Sequence, residues 1–382
     1  MLQKKLKVQV FENAILLPPK KDKSKSWGLG GVVDENNKFI EDSVYRFYFG
    51  GNYNFDKSQI LESDEEVIYL GHLIPHWGVF LVDFTRRLWY YYKCQNKSVK
   101  LAFFGVNMPS VGFESMEQMY NDFFRLADID EACIIDVKEI IRFKKVYVPE
   151  MGYDEDRAYY SIDYLIPFNQ IVNNLSEHIK KKQVGYKTYS KVYLSRTRFA
   201  SFREAGENLI EQFFALNGFK IIYPETLTFI QKTVVFKDAE VIASIEGTTA
   251  HSILFATKAK SQIIIKKQKL ENSRQPWFNE MKHVPSTTLD VYYEPIPRLP
   301  YSWDEGPFLM LFNGNMKKFA KANGMILPRG ILFANLNSIL HYLHIALILY
   351  LQKHDFIHKA IKPLFVIVRK IKKIRKKGKL NS

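Results

Sequence analysis

Cysteine is nearly missing from this chain. Cys94 and Cys133 are the only two in 382 residues, and they stand far apart, outside any ligand-like spacing. That excludes a disulfide framework and a thiolate metal site, and it fits a reducing cytosol. An uninterrupted apolar run is also missing from the N-terminus, where Glu12 and Asn13 break the pattern short of signal-peptide length. The chain is therefore expected to stay on the side of the membrane where it is made. Net charge is scarce over most of the length. Residues 353–382 hold eleven lysines and arginines against Asp355 alone, which accounts for +10 of the formal +15 and leaves about +5 for everything before them. So thin an excess argues against a basic nucleic-acid-binding face. Apolar material is abundant, at 47% with 15% aromatic, which excludes disorder. At this length it predicts two domains and an appendage.

Hydrophobic periodicity sets the organisation. Strand-like runs VIYLG, VKLAFFGV and ACIIDV alternate with a helix over HWGVFLVDFTRRLWYYY and another from Met116 to Ala127, the pattern of an α/β lobe. Residues from about Pro149 to Tyr189 are charged, aromatic and linker-like, with a boundary near 185 and Asp154-Glu155-Asp156 read as a solvated loop. Beyond it come strand KVYLS, a helix from Glu204 to Asn217 stopped by Gly218, strand FKIIY, a helix from Phe229 to Lys237, strand EVIAS, a helix start at Ala250 to Ala256, and strand QIIIK. This alternation predicts a doubly wound parallel sheet.

Ligands of such sheets bind at the carboxyl ends of the strands, so the loops there are the candidate sites. After KVYLS stand Arg196 and Arg198, with Arg203 downstream, guanidinium groups suited to bidentate recognition of a diphosphate. The alternative is a solvated cationic loop. After EVIAS comes Glu246-Gly247-Thr248-Thr249-Ala250-His251, a small-residue turn entering a helix, where backbone amides and the helix dipole favour an anion. The alternative is a tight turn capped by Thr248 or Thr249. Glu246 would repel phosphate and suits sugar or ribose hydroxyls instead. His72 and His76 lack a third ligand and are expected to be structural rather than metal-bound.

Taken in order, GHLIPHWGVFLVDFTRRLW, YLSR with Arg203, GFKIIYPETLTFIQK and AEVIASIEGTTAHSILFA resemble glycosyltransferase family 61, including its bacterial capsular polysaccharide members, over about residues 67–266. The resemblance implies an inverting glycosyltransferase of GT-B type, with two Rossmann-like lobes. A nucleotide-sugar donor would bind the C-terminal lobe and a glycan or lipid-linked oligosaccharide would be the acceptor. No cofactor or metal is expected. The domains would be an acceptor-side lobe at 1–185, a donor lobe at 186–330 and a tail at 331–382. Inverting transfer needs a base for the acceptor hydroxyl and donors for the departing diphosphate. Asp83 and His76 are the base candidates. Arg196, Arg203, Glu246, Gly247, Thr248, Thr249 and His251 are the donor-binding candidates. The alternative for Asp83 is a surface pair with Arg86 or Arg87. Family members commonly have His-Gly-Ala where this chain has Glu246-Gly247-Thr248, which leaves a non-catalytic glycan-binding protein on the same fold as the competing reading.

The C-terminal segment suggests a location. Residues 331–352 are long enough to span a bilayer but carry Asn335, Asn337, His341 and His344. Residues 362–380 alternate apolar with basic side chains, the pattern of a helix lying in an anionic interface. The expectation is a cytoplasmic protein held peripherally at the inner face of the cell membrane. A single span remains the alternative, as does packing of 331–351 across the lobes.

Overall fold

The computed structural model describes residues 2–45, 48–74, 76–105, 113–182, 187–270, 274–302 and 305–353. The basic segment beyond Lys353, and with it the expected amphipathic tail, lies outside the described residues. The chain divides into two compact units, neither continuous in sequence. The first comprises Met1–Leu194, Ile222–Ile264 and Asn272–Thr288, and the second Ser195–Ile221, Ile265–Glu271 and Leu289–Ser382.

In the first unit a six-stranded sheet runs in the order Leu29–Val33, Val8–Lys20, Ile141–Pro149, Leu61–Leu73, Lys100–Gly105, Ile134–Asp136. Leu61–Leu73 pairs in parallel with both neighbours, whereas Val8–Lys20 is antiparallel to both of its own. The sheet is thus mixed, not parallel throughout. The link between Lys20 and Leu29 is too short for a crossover and only a hairpin can close it. A second sheet has the order Lys220–Ile222, Lys191–Leu194, Val241–Ile245, Ser261–Lys266, Ser286–Asp290. Counted along the chain this is 2-1-3-4-5, a common doubly wound order, with Lys191–Leu194 and Val241–Ile245 paired in parallel at its switch point. The fold is α/β.

Two expectations change. The segment taken as linker-like contains the helix Ile166–Lys182, whose Phe168, Ile171, Val172 and Leu175 recur at helical spacing and join the main apolar core. Tyr153, Tyr160 and Tyr164 enter the same core. The expected helix over HWGVFLVDFTRRLWYYY breaks into Trp77–Val82, a 3-10 turn Phe84–Arg87 and Trp89–Lys93. The break has a specific cause. Tyr164 donates its hydroxyl hydrogen to the Leu81 carbonyl at 2.6 Å, and Tyr153 to that of Val82 at 2.6 Å. Arg86 Nε also donates to the Val82 carbonyl, at 2.8 Å. Side chains thus occupy the carbonyls at the end of the first turn of chain, and Asp83 becomes its C-cap.

In the second unit Glu204–Ala205 pairs in parallel with Phe308–Met310, which is antiparallel to Tyr292–Tyr293. The helix expected from Glu204 therefore begins only at Glu207 and ends at Leu216. Gly206 makes the junction. It sits at φ 100°, and a Cβ there would run into the Met310 carbonyl. The helices Gly314–Ala322 and Ile331–Lys353 complete the unit. Ala205, Leu309, Tyr342 and Ile345 form its apolar cluster.

Candidate active site

Breaking the helix at Val82 turns Asp83 into a buried ring of charge. Arg86 Nη2 lies 2.8 Å from Asp83 Oδ1 and 3.2 Å from Glu155 Oε2. On the other side Arg274 Nη1 donates to Asp83 Oδ2 at 3.2 Å and Arg274 Nε to Glu155 Oε1 at 3.0 Å. Two carboxylates and two guanidinium groups thus alternate around a neutral square. Arg86 is 1% exposed, a position an arginine tolerates only when its charge and N–H groups are compensated. Tyr153 accepts from its Nη2 at 3.1 Å. Burial works against the charge on both arginines, and the surrounding Asp83, Tyr153 and Tyr45 outweigh it, so both stay firmly protonated. The Tyr45 hydroxyl accepts from Arg274 Nη2 at 3.5 Å, and its pKa is raised by burial first and by the Asp83 charge second. The expected surface pair of Asp83 with Arg86 is therefore formed, but in the interior. The acidic triplet is likewise no solvated loop, since Glu155 closes the square and Asp154 is buried, accepting from the amides of Asp156 and Arg157.

His76 caps the other end of the same short helix. Its Nδ1 accepts the Val79 amide hydrogen at 3.2 Å, so a neutral ring carries its proton on Nε2 and presents a donor. Against this helix start lies the turn after Val241–Ile245. A Cβ on Gly78 would run into the Thr248 hydroxyl, so the missing side chain lets the turn seat there. Gly247 takes φ 107°, Thr249 donates its hydroxyl hydrogen to the Ile245 carbonyl at 2.9 Å, and Glu246 is buried. The helix expected from Ala250 is a six-residue 3-10 turn with no side-chain cap. The dipole argument for an anion at its start loses its force, because few peptide units align there.

His251 is buried in that turn and fixed by a relay of amides. Gln262 Nε2 donates to the Ala250 carbonyl at 2.7 Å and Asn279 Nδ2 to that of Val284 at 3.1 Å. Those carbonyls settle both amide orientations. Gln275 Nε2 then donates to Gln262 Oε1 at 3.0 Å and Asn279 Oδ1 at 2.9 Å, which turns Gln275 Oε1 toward His251 Nδ1 at 2.8 Å. His251 must donate from Nδ1, leaving Nε2 as an acceptor. Burial lowers its pKa to about 4, and the charges of Asp83, Arg274 and His76 also act on it. His72 lies apart from these contacts. It is buried edge-on to Phe49 at 3.8 Å, and burial lowers its pKa to about 3.

The second unit contains the other candidates. Arg196 Nε and Nη2 each donate to the buried Glu204 carboxylate at 3.1 Å, and Lys267 Nζ donates to the same carboxylate at 3.0 Å. Burial raises the Glu204 pKa, but Lys267 and Arg196 more than offset this and hold it below the usual range. Ser195 and Thr197 hydroxyls both go to Glu211. The Arg203 guanidinium carbon lies 5.4 Å from the ring centre of Phe202 and 5.9 Å from that of Phe199.

Glu155, Arg274, Tyr45 and Gln275 belong to the first unit's site and were not among the sequence candidates. Glu155 lay in the acidic triplet, whereas Arg274, Tyr45 and Gln275 stand outside every motif. Among the described residues no three His, Cys, Asp or Glu side chains are grouped to hold a metal ion. No curated protein matches the chain. The family described as Glycosyltransferase 61 matches residues 77–264. That segment carries His76's helix, Asp83, Arg86, Glu155, the Glu246–Thr249 turn and His251, and over it the chain is similar to the glycosyltransferase 61 family.

Proposed function

We propose that the chain is an inverting glycosyltransferase of GT-B type. It moves a sugar from a nucleotide-sugar donor to a glycan or lipid-linked acceptor in capsule or cell-surface polysaccharide synthesis on the cytoplasmic side of the membrane, with no metal or cofactor. The observation that carries this is the buried square around Asp83, beside His251 and the Thr248 turn, of which Asp83, Arg86 and Glu155 lie in the segment similar to a glycosyltransferase family. Arg86 and Arg274 hold the Asp83 carboxylate in place, and in this reading it accepts the proton of the attacking hydroxyl as the glycosidic bond to the diphosphate breaks. His76, donating from Nε2, suits an oxygen gaining negative charge better than it suits a base. Glu246 and His251 Nε2 are acceptors for donor hydroxyls. Arg196 and Arg203 hold the diphosphate, with Glu204 and Lys267 fixing the Arg196 guanidinium in place.

The competing reading has its own support, since a carboxylate clamped between two arginines also suits a purely structural network in a glycan-binding protein. Asp83→Asn separates the two. As a base, its loss lowers turnover by about 10²–10⁴-fold with donor binding retained. Unchanged turnover in a folded variant removes Asp83 from that role. No saturable binding across a panel of nucleotide sugars and nucleoside diphosphates defeats the transferase reading altogether.

A further inference from the structure

The helix Ile331–Lys353 is the one helix among the described residues that is long and apolar enough to cross a membrane. Its two faces are used differently. Tyr342 and Ile345 are buried in the apolar cluster with Ala205 and Leu309, and Ser338 and Ala346 are buried with them. At about 100° per residue these four occupy one side. Leu332, Leu336, Leu340, Leu343, Leu347 and Tyr350 are all exposed, Leu332 at 78% and Leu340 at 57%. Their spacing of four, four, three, four and three puts them within an arc of about 100° on another side. Two further observations fix the helix in this pose. Asn335 Nδ2 donates to the Phe312 carbonyl at 3.1 Å while its Oδ1 accepts the Phe312 amide at 2.9 Å. At the far end Lys353 pairs with Glu305 at 2.7 Å and lies 3.8 Å from the centre of the Tyr301 ring.

An apolar stripe of five leucines and a tyrosine, held outward by a packed opposite face, is an interaction surface. We infer that its occupant is an anionic lipid leaflet, and that the helix lies in the interface with this stripe in the acyl region while its other face stays on the protein. Charge selects the occupant. Ten lysines and arginines follow within residues 354–382 against Asp355 alone, and Arg329 and Lys321 are exposed just before the helix, next to exposed Ile326 and Leu327. Cations flanking both ends of an apolar stripe match anionic headgroups above an acyl layer. A spanning helix would have to surrender the Tyr342 packing and the Asn335 bonds.

The test mixes full-length protein with vesicles of phosphatidylcholine alone or in equal parts with phosphatidylglycerol, then sediments them at low and high salt. The expected result is preference for the anionic vesicles, with a bound fraction that survives high salt. Leu336→Ser/Leu340→Ser/Leu347→Ser should keep its circular dichroism and melting temperature yet lose the salt-resistant fraction at least tenfold, whereas Leu336→Phe/Leu340→Phe keeps it. If the triple variant fails to fold, Leu332→Ser/Phe333→Ser is read in the same way. Salt-resistant binding unchanged in a folded serine variant overturns the inference, as does complete release of the parent protein by salt. A dimer that forms without vesicles and is abolished by the serine changes assigns the stripe to a second copy instead. Retention of the serine variant in native membranes until detergent is added identifies a true span.

Discussion

His72 and His251 show how two imidazoles with similar pKa directions can have opposite meanings. Both are buried and neutral, but His251 has Gln275 on Nδ1, whereas among the described residues neither nitrogen of His72 has a hydrogen-bond partner. The unfolded chain binds a proton near 6.5 at each, and the folded chain only near 4 and near 3. Between those values the unfolded state holds more protons. Their stabilisation is therefore complete above pH 6.5 and is lost as pH falls toward 4, by something on the order of 3 kcal/mol for His251. His72→Phe, which fills an aromatic pocket with an aromatic ring, should raise the melting temperature more at pH 5 than at pH 8. An equal shift at both would mean that protonation of His72 plays no part. Arg196 poses a different question, because Glu204 already engages two of its nitrogens. If it nonetheless holds a diphosphate, Arg196→Ala and Arg203→Ala should each weaken nucleoside diphosphate binding far more than nucleoside binding. Equal losses for the two ligands would confine both residues to structure.

Short elements meeting at glycines build the site, and these junctions are where sequence patterns become hard to read. Alternation of apolar runs was enough to find the strands at Lys191, Val241 and Ser261 to within a residue or two, because a buried strand needs a continuous apolar run. The order 2-1-3-4-5 of the sheet agrees with the doubly wound expectation. The break at Asp83 was not legible, since the residues that cause it, Tyr153 and Tyr164, lie some 70 to 80 positions away. Arg274 is hidden for the same reason, being 191 residues from Asp83. Gly78 and Gly206 offer a contrast at this scale. Gly206 adopts φ 100° against the Met310 carbonyl, so Gly206→Ala should cost roughly 2 kcal/mol or more of stability, read as a lower melting temperature. Gly78 has no unusual backbone angle, and its added Cβ meets the Thr248 hydroxyl first, with the His76 ring carbon Cε1 at 3.3 Å beyond it. Gly78→Ala should therefore fold but push the Thr248 turn away, reducing turnover more than stability, and Thr248→Ala in the same chain should restore part of it. Additive losses in the double variant would refute that coupling.

Across the whole molecule, charge and apolar surface are concentrated in the last fifth of the chain. The described helix supplies a fixed leucine stripe, while residues 354–382 supply ten cations to one carboxylate. These forces act differently with salt. Attraction of basic residues to an anionic leaflet is worth about 1 kcal/mol each near the surface and decays within a Debye length of about 8–10 Å at ordinary ionic strength. Burial of leucine in the acyl region is insensitive to screening. Deleting 359–382 removes all ten of those cations and none of the stripe. The truncated protein should lose most of its preference for anionic over neutral vesicles and most of its low-salt affinity. It should keep a weak, salt-insensitive association and an unchanged affinity for nucleoside diphosphate. The two measurements separate the parts: co-sedimentation against salt reports the tail, and nucleotide titration reports the folded units. If truncation leaves the anionic preference intact, the attraction resides in Arg329 and the lysines of the Gly314–Ala322 helix rather than in the tail. If nucleotide affinity falls as well, the basic segment takes part in donor binding and its charge serves the reaction, not the membrane.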